Sequence, residues 1–273
     1  MRLSFDPAVI LLLAGAAALY VRALAILAER GQEVSRLQQA AWWAGLSLTA
    51  IALVGPFDSY GEESMSAHMA QHLLVADLAA PLLLVGLRTP VLFFYLPRAV
   101  LVPLARSRLR GWFRRLRQPL VAIGVYVAVL YVWHVPVLFE GALRNDLLHA
   151  LQHESFVLAA VLVWWPVLEP KRGRLRGELW KAAHIVGARF AGMFLGMFFI
   201  IASTPIYAGW YGEGERIFGL SALTDQQLAG AMMLFLDFAL MLFAVAFFFF
   251  RSAQDHDLAE ARERAGEREA ALR

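Results

Sequence analysis

Seven runs of about 20 mainly apolar residues divide this chain, at 7–28, 38–56, 67–87, 119–139, 147–168, 182–204 and 227–250. Each is long enough to cross a hydrocarbon core of roughly 30 Å as an α-helix. Lipid is therefore the main solvent, as 60% hydrophobic and 17% charged residues with a mean hydropathy of +0.57 also indicate. The expected fold class is all-α: a polytopic membrane protein whose residues 1–250 form a bundle of seven transmembrane helices, with a charged tail at 251–273. Met1–Asp6 shows no small-residue cleavage site ahead of the first run and is expected to be retained.

The formal charge of +3 is small, but the basic residues come in blocks. Arg30 and Arg36 lie between the first two runs. Arg88, Arg98, Arg106, Arg108, Arg110, Arg114, Arg115 and Arg117 follow the third. Lys171, Arg172, Arg174, Arg176 and Lys181 follow the fifth, and Arg251 opens the tail. The alternate connections hold only Arg2, Arg144 and Arg216. By the positive-inside rule the basic loops and the C-terminus are cytoplasmic and the N-terminus is outside. Residues 91–118 mix arginines with Val91–Leu96, Trp112 and Phe113, and are expected to lie in the cytoplasmic interface against anionic membrane lipid. The tail beyond Ala261 alternates Glu and Arg as a solvated helix or a disordered end would. Gly192 and Gly196, with Gly187 nearby, offer a small-residue face for close helix packing. Thr224 and Gln227 have capping-box spacing, which puts the start of the last helix near Thr224. Tyr207, Trp210 and Tyr211 fit an outer aromatic belt.

With no cysteine, disulfides and thiolate metal sites are excluded, and any metal must rely on His, Met, carboxylate or backbone ligands. Five of the seven histidines fall in the outer leaflet: His68 and His72 at the start of the third run, His149 and His153 at the start of the fifth, and His134 near the end of the fourth. Residues four apart on a helix differ by about 40° of rotation and 6 Å of rise, so each HxxxH pair presents two imidazoles to one point. Both pairs read HxxQH and both open helices running inward, a weak internal repeat. Met65 lies within about 60° of His68 and His72 and can add a thioether.

A lone histidine at a helix end is ordinarily an interfacial residue. Five at one depth on three helices mark a shared site, because ionisable groups inside a bilayer are costly. His with Met favours copper, especially Cu(I), while imidazole alone also suits zinc or haem iron. The residues leave three readings open: a protein that holds copper transiently, a zinc hydrolase with Glu154 assisting a bound water, or a bis-imidazole haem b protein. His184 and His256 lie far from the cluster. Asp77 sits 180° around an α-helix from His68 and is expected to face another neighbour; Asp237, Arg189 and Arg22 are candidates for buried ion pairs. Pro136 can free backbone carbonyls and re-aim His134.

Met65–Leu74 (MSAHMAQHLL), Ala80–Leu83 (APLL), Trp133–Phe139 (WHVPVLF), His149–Glu154 (HALQHE) and Trp164–Pro166 (WWP) together resemble the CtaG family of caa3-type cytochrome c oxidase assembly factors. The likeness extends over roughly 38–250. It implies a multi-pass protein of the bacterial plasma membrane, non-enzymatic, needed to mature a haem–copper oxidase by handling copper. Its partners would be oxidase subunits and membrane lipid, with no nucleic acid. The family's histidines correspond to His68, His72, His134, His149 and His153. An unrelated single-span copper chaperone of the same name relies on cysteines, which this chain lacks.

Overall fold

In lipid a backbone must satisfy its own hydrogen bonds, and the apolar runs do so as helices. The computed structural model describes residues 7–54, 56–168, 177–212, 214, 216 and 219–271, and among them there is no strand. Lys171, Arg172, Arg174, Arg176 and Arg2, used above to argue orientation, lie outside the described residues. The order is α1 (Pro7–Glu29), α2 (Arg36–Val54), α3 (Pro56–Gly61), α4 (Met65–His72), a π-helical stretch (Leu73–Ala79), α5 (Ala80–Gly86), α6 (Leu92–Tyr95), α7 (Arg98–Arg106) and α8 (Arg108–Leu116). Then come α9 (Pro119–Trp133), α10 (Pro136–Leu143), α11 (Asp146–Leu168), α12 (Glu178–Ile201), α13 (Ala208–Tyr211) and α14 (Ala222–Ala271).

Among the described residues six helical segments are long and apolar enough to cross a membrane: α1, α2, Met65–Gly86, α11, α12 and the apolar part of α14. The seventh expected span, 119–139, is not one helix. Pro136 has no N–H and drives Val135 out of the α region, to φ −65° and ψ 127°, so α9 stops at Trp133 after 15 residues. That is about 22 Å of helix, short of a bilayer core. α8 meets α9 at 86°, so only the bent pair taken together counts as a seventh segment. α14 begins at Ala222, earlier than expected: Ser221 Oγ accepts the Thr224 N–H at 3.1 Å and fills the capping role. It then runs through the charged tail as one 50-residue helix.

The main core gathers residues from α4, the π stretch, α5, α9 to α12 and α14, among them Met69, Trp133, Phe139, Phe156, Phe199 and Met233. α12 and α14 approach most closely where Gly196 faces Gly230: a Cβ on Gly196 would lie 2.7 Å from the Gly230 carbonyl oxygen. Gly187 takes no part in this contact, having only Ile123 within reach of a Cβ. α1 packs through Tyr20, stacked on Trp42 with centroids 4.5 Å apart, and turns Leu11 and Leu12 outward at 72% and 71% exposure. α14 likewise exposes Phe235, Phe238 and Phe243. Apolar faces of this extent are what a multi-pass membrane protein offers to lipid.

Candidate metal centre

The third and fifth expected spans bring their HxxQH pentads face to face. His68 and His72, on α4, place their Nε2 atoms 2.7 Å apart; those of His149 and His153, on α11, are 3.0 Å apart. Across the two helices His68 stacks on His149 with centroids at 5.3 Å, and His72 lies 4.4 Å from His153. The diagonal pairs are at 6.4 and 6.5 Å. Ligand nitrogens of His68, His72 and His149 all fall within 4.8 Å of one another. Four imidazoles thus face one another, and three of them, His68, His72 and His149, bring ligand nitrogens close enough together to share one metal ion.

His134 stands one layer away. Its ring packs on Phe156 and Phe139, both at 6.1 Å, and on Phe199 at 5.8 Å. The same phenylalanines cover the cluster: Phe139 lies 5.2 Å from His68, and Phe156 4.9 Å from His72. Met65 opens α4 and lines a small outer cavity with Tyr207, Tyr211, Arg216 and Asp225. Glu154 is exposed, turned away from the imidazoles it follows in sequence. His184 is buried elsewhere with Nε2 2.9 Å from the Val163 carbonyl, and His256 sits beside Glu260 on the exposed end of α14.

The residues that hold the cluster were not legible as site residues. Asp225, at the start of α14, accepts from Ser64 Oγ (2.8 Å), Met65 N (2.7 Å), Ser66 N (3.1 Å) and Ser66 Oγ (2.5 Å). One carboxylate therefore satisfies the free N–H groups at the start of α4 and favours the positive end of its dipole. The loop after α12 folds back over the site. Tyr207 is buried, stacks on Phe139 at 4.0 Å and donates to the His134 carbonyl at 2.8 Å. Tyr211 donates to Gly61 O at 2.9 Å, and Trp210 to Glu62 O at 3.1 Å. Tyr207 is thus an inward tie and not part of an outer belt. Burial pushes both phenols above their ordinary range, so they stay protonated donors.

Beneath the cluster, Arg189 on α12 bonds Asp77 of the π stretch and, at 3.2 Å, Asp237 of α14. It is fully buried, with the Tyr126 hydroxyl 3.3 Å away. Arg22, by contrast, is exposed and donates to Phe94 O at 3.1 Å, so it forms no buried ion pair.

Residues 18–255 match the family described as cytochrome c oxidase caa3 assembly factor (Caa3_CtaG). The uncharacterized proteins Mb0105 of Mycobacterium bovis and MT0111 of Mycobacterium tuberculosis are each 24% identical over 231 residues, 78% of this chain. The chain spans about a third of the length of these curated relatives, 33% of each. No solved structure matches. With its family match running almost end to end, the chain belongs to the caa3 cytochrome c oxidase assembly factors, the Caa3_CtaG family.

Proposed function

We propose that this protein binds copper through His68, His72, His149 and His153 and passes it to a caa3-type oxidase subunit as the enzyme's metal centres are built. The observation that carries this reading is the meeting of His68, His72 and His149 within metal-sharing distance, with His153 packed against them from the same helix as His149. The donor set is all nitrogen, with thioethers close by, which suits copper; the sequence has no cysteine, and among the described residues no carboxylate joins the three grouped histidines. Nδ1 of His68, His72 and His153 has no hydrogen-bond partner among the described residues. Met65, ahead of His68 on α4, stands on the cluster's outer side as a further thioether ligand.

The site works from the outer face of the bacterial plasma membrane. In this reading the bent α8–α9 pair makes the seventh span, the N-terminus is outside and the C-terminus is cytoplasmic, an orientation supported by the placement of the arginine blocks. α7 and α8, carrying seven arginines from Arg98 to Arg117 with the linking residues, rest on anionic lipid at the cytoplasmic surface. The role is that of a carrier, not a catalyst.

Elemental analysis of purified protein beside H72A/H153A, together with the level of assembled oxidase in cells, tests this. Copper in the wild type, lost from the variant along with oxidase maturation, is the expected result. Protein that takes up no copper under reducing or oxidising conditions refutes it.

A further inference from the structure

Below His72 the bundle encloses a second small cavity of about 30 Å³, the space of roughly one water molecule or a bare ion. Its wall includes His72, His134, Met69 and Met233, with Asp77 and Asp237 alongside. The state of His134 is set by backbone chemistry. In an unbroken helix the His134 N–H would bond Leu130 O; at the break before Pro136 it bonds Tyr131 O instead, at 3.2 Å. The released Leu130 carbonyl lies 2.7 Å from His134 Nδ1. A carbonyl can only accept, so Nδ1 carries the proton and Nε2 keeps a lone pair. That Nε2 is buried and has no hydrogen-bond partner among the described residues. A histidine whose Nδ1–H is fixed by a backbone carbonyl and whose Nε2 is bare has the arrangement of a metal ligand.

Charge favours a cation here as well. Asp77 and Asp237 face one guanidinium, Arg189, so with both carboxylates ionised the group lacks one positive charge. In a low-dielectric interior the surplus charge is balanced by a proton on one carboxyl or by a monovalent cation in its place. The two thioethers select a soft one.

We propose that this cavity is a second metal site, for Cu(I), held by His134 Nε2 with Met69 and Met233, and that His72 is shared between it and the four-histidine cluster. The inference rests on the copper reading above. Cu(I) moves between the two by ligand exchange at His72, with one metal bond forming as another breaks and no change of oxidation state. A two-station path explains why His134 stands apart from the other histidines and why Met69 and Met233 line the cavity it shares with His72.

The test is anaerobic titration of the purified protein with Cu(I) against a chromogenic Cu(I) chelator, with X-ray absorption on the loaded samples. Wild type is expected to hold about two Cu(I) per chain, with sulfur among the scatterers. M69L/M233L, which nearly conserves volume, should lose one Cu(I) and with it most of the sulfur scattering, leaving no more than the single thioether of Met65. H149A/H153A should lose the other Cu(I) and keep the sulfur. A wild type holding a single Cu(I) on nitrogen alone, or an M69L/M233L protein that still binds two, overturns the second site while the proposed function stands. No Cu(I) uptake by any form removes both.

Discussion

The two HxxQH pentads are near copies in sequence and unequal in setting. On α4, His68 and His72 are almost fully buried, at 1% and 7% exposure; on α11, His149 and His153 are half-buried. α4 is held at both ends from distant parts of the chain. Asp225 grips its first turn, and the π stretch that follows it is tied through Asp77 to Arg189. α11 starts from a local device, with Asn145 Oδ1 accepting the Leu148 N–H at 3.0 Å. One clamp is a fixed wall of the site and the other its accessible side, a distinction that a shared motif cannot encode by itself. The glutamines are alike in both: Gln71 and Gln152 are each 1% exposed, so the third intervening position points into the bundle in each copy.

The strongest blow to this asymmetry is removal of Arg189. R189M leaves two buried carboxylates without their cation, a loss of about 3–5 kcal/mol. Unfolding in detergent should show that drop, and D77N/D237N/R189M should recover part of it. An R189M protein as stable as the wild type would mean that the α4 side is not anchored from below.

Next in size is the upper anchor. D225A strands the donors of Ser64, Met65 and Ser66, at about 1–3 kcal/mol for each group left unsatisfied, and lets the first turn of α4 fray. N145A removes only an N-cap, worth about 1 kcal/mol. Copper affinity should fall about 10–100-fold in D225A, as when ligand-orienting contacts are lost elsewhere, and less in N145A. Equal losses in the two variants would show that both clamps depend on their starts to the same degree.

The imidazole pairs were legible because HxxxH spacing on an α-helix is arithmetic, and the helix starts that carry them follow from the apolar runs. Counting at 100° per residue gave Asp77 a neighbour other than the histidines, and it does pair with Arg189, but the count missed its place beside His72. The π stretch bonds each residue to the fifth along and advances by roughly 80° per residue. Asp77 therefore lines the same cavity as His72, although an α-helical count turns it away. Asp225 was hidden for another reason: it meets its partners across about 160 residues of sequence, and only the packing of α14 on α4 creates that cap. Pro136 was visible as a proline near a helix end. That it frees the Leu130 carbonyl for His134 depends on where the break falls, which a hydropathy run does not show.

The smallest effect is one of rate. A histidine acylating agent applied to folded, metal-free protein should modify His149 and His153 before His68 and His72, because the α11 histidines are half-buried and the α4 histidines almost fully buried. Mass spectrometry of peptides taken over time reads the order directly. Copper added first should slow modification of His149 and His153 most, since bound metal occupies the lone pairs that the reagent attacks. In D225A the α4 rings should become reactive sooner, narrowing the gap. If His68 and His72 react first in the wild type, the buried wall is on the wrong helix, and loading would have to proceed from the α4 side.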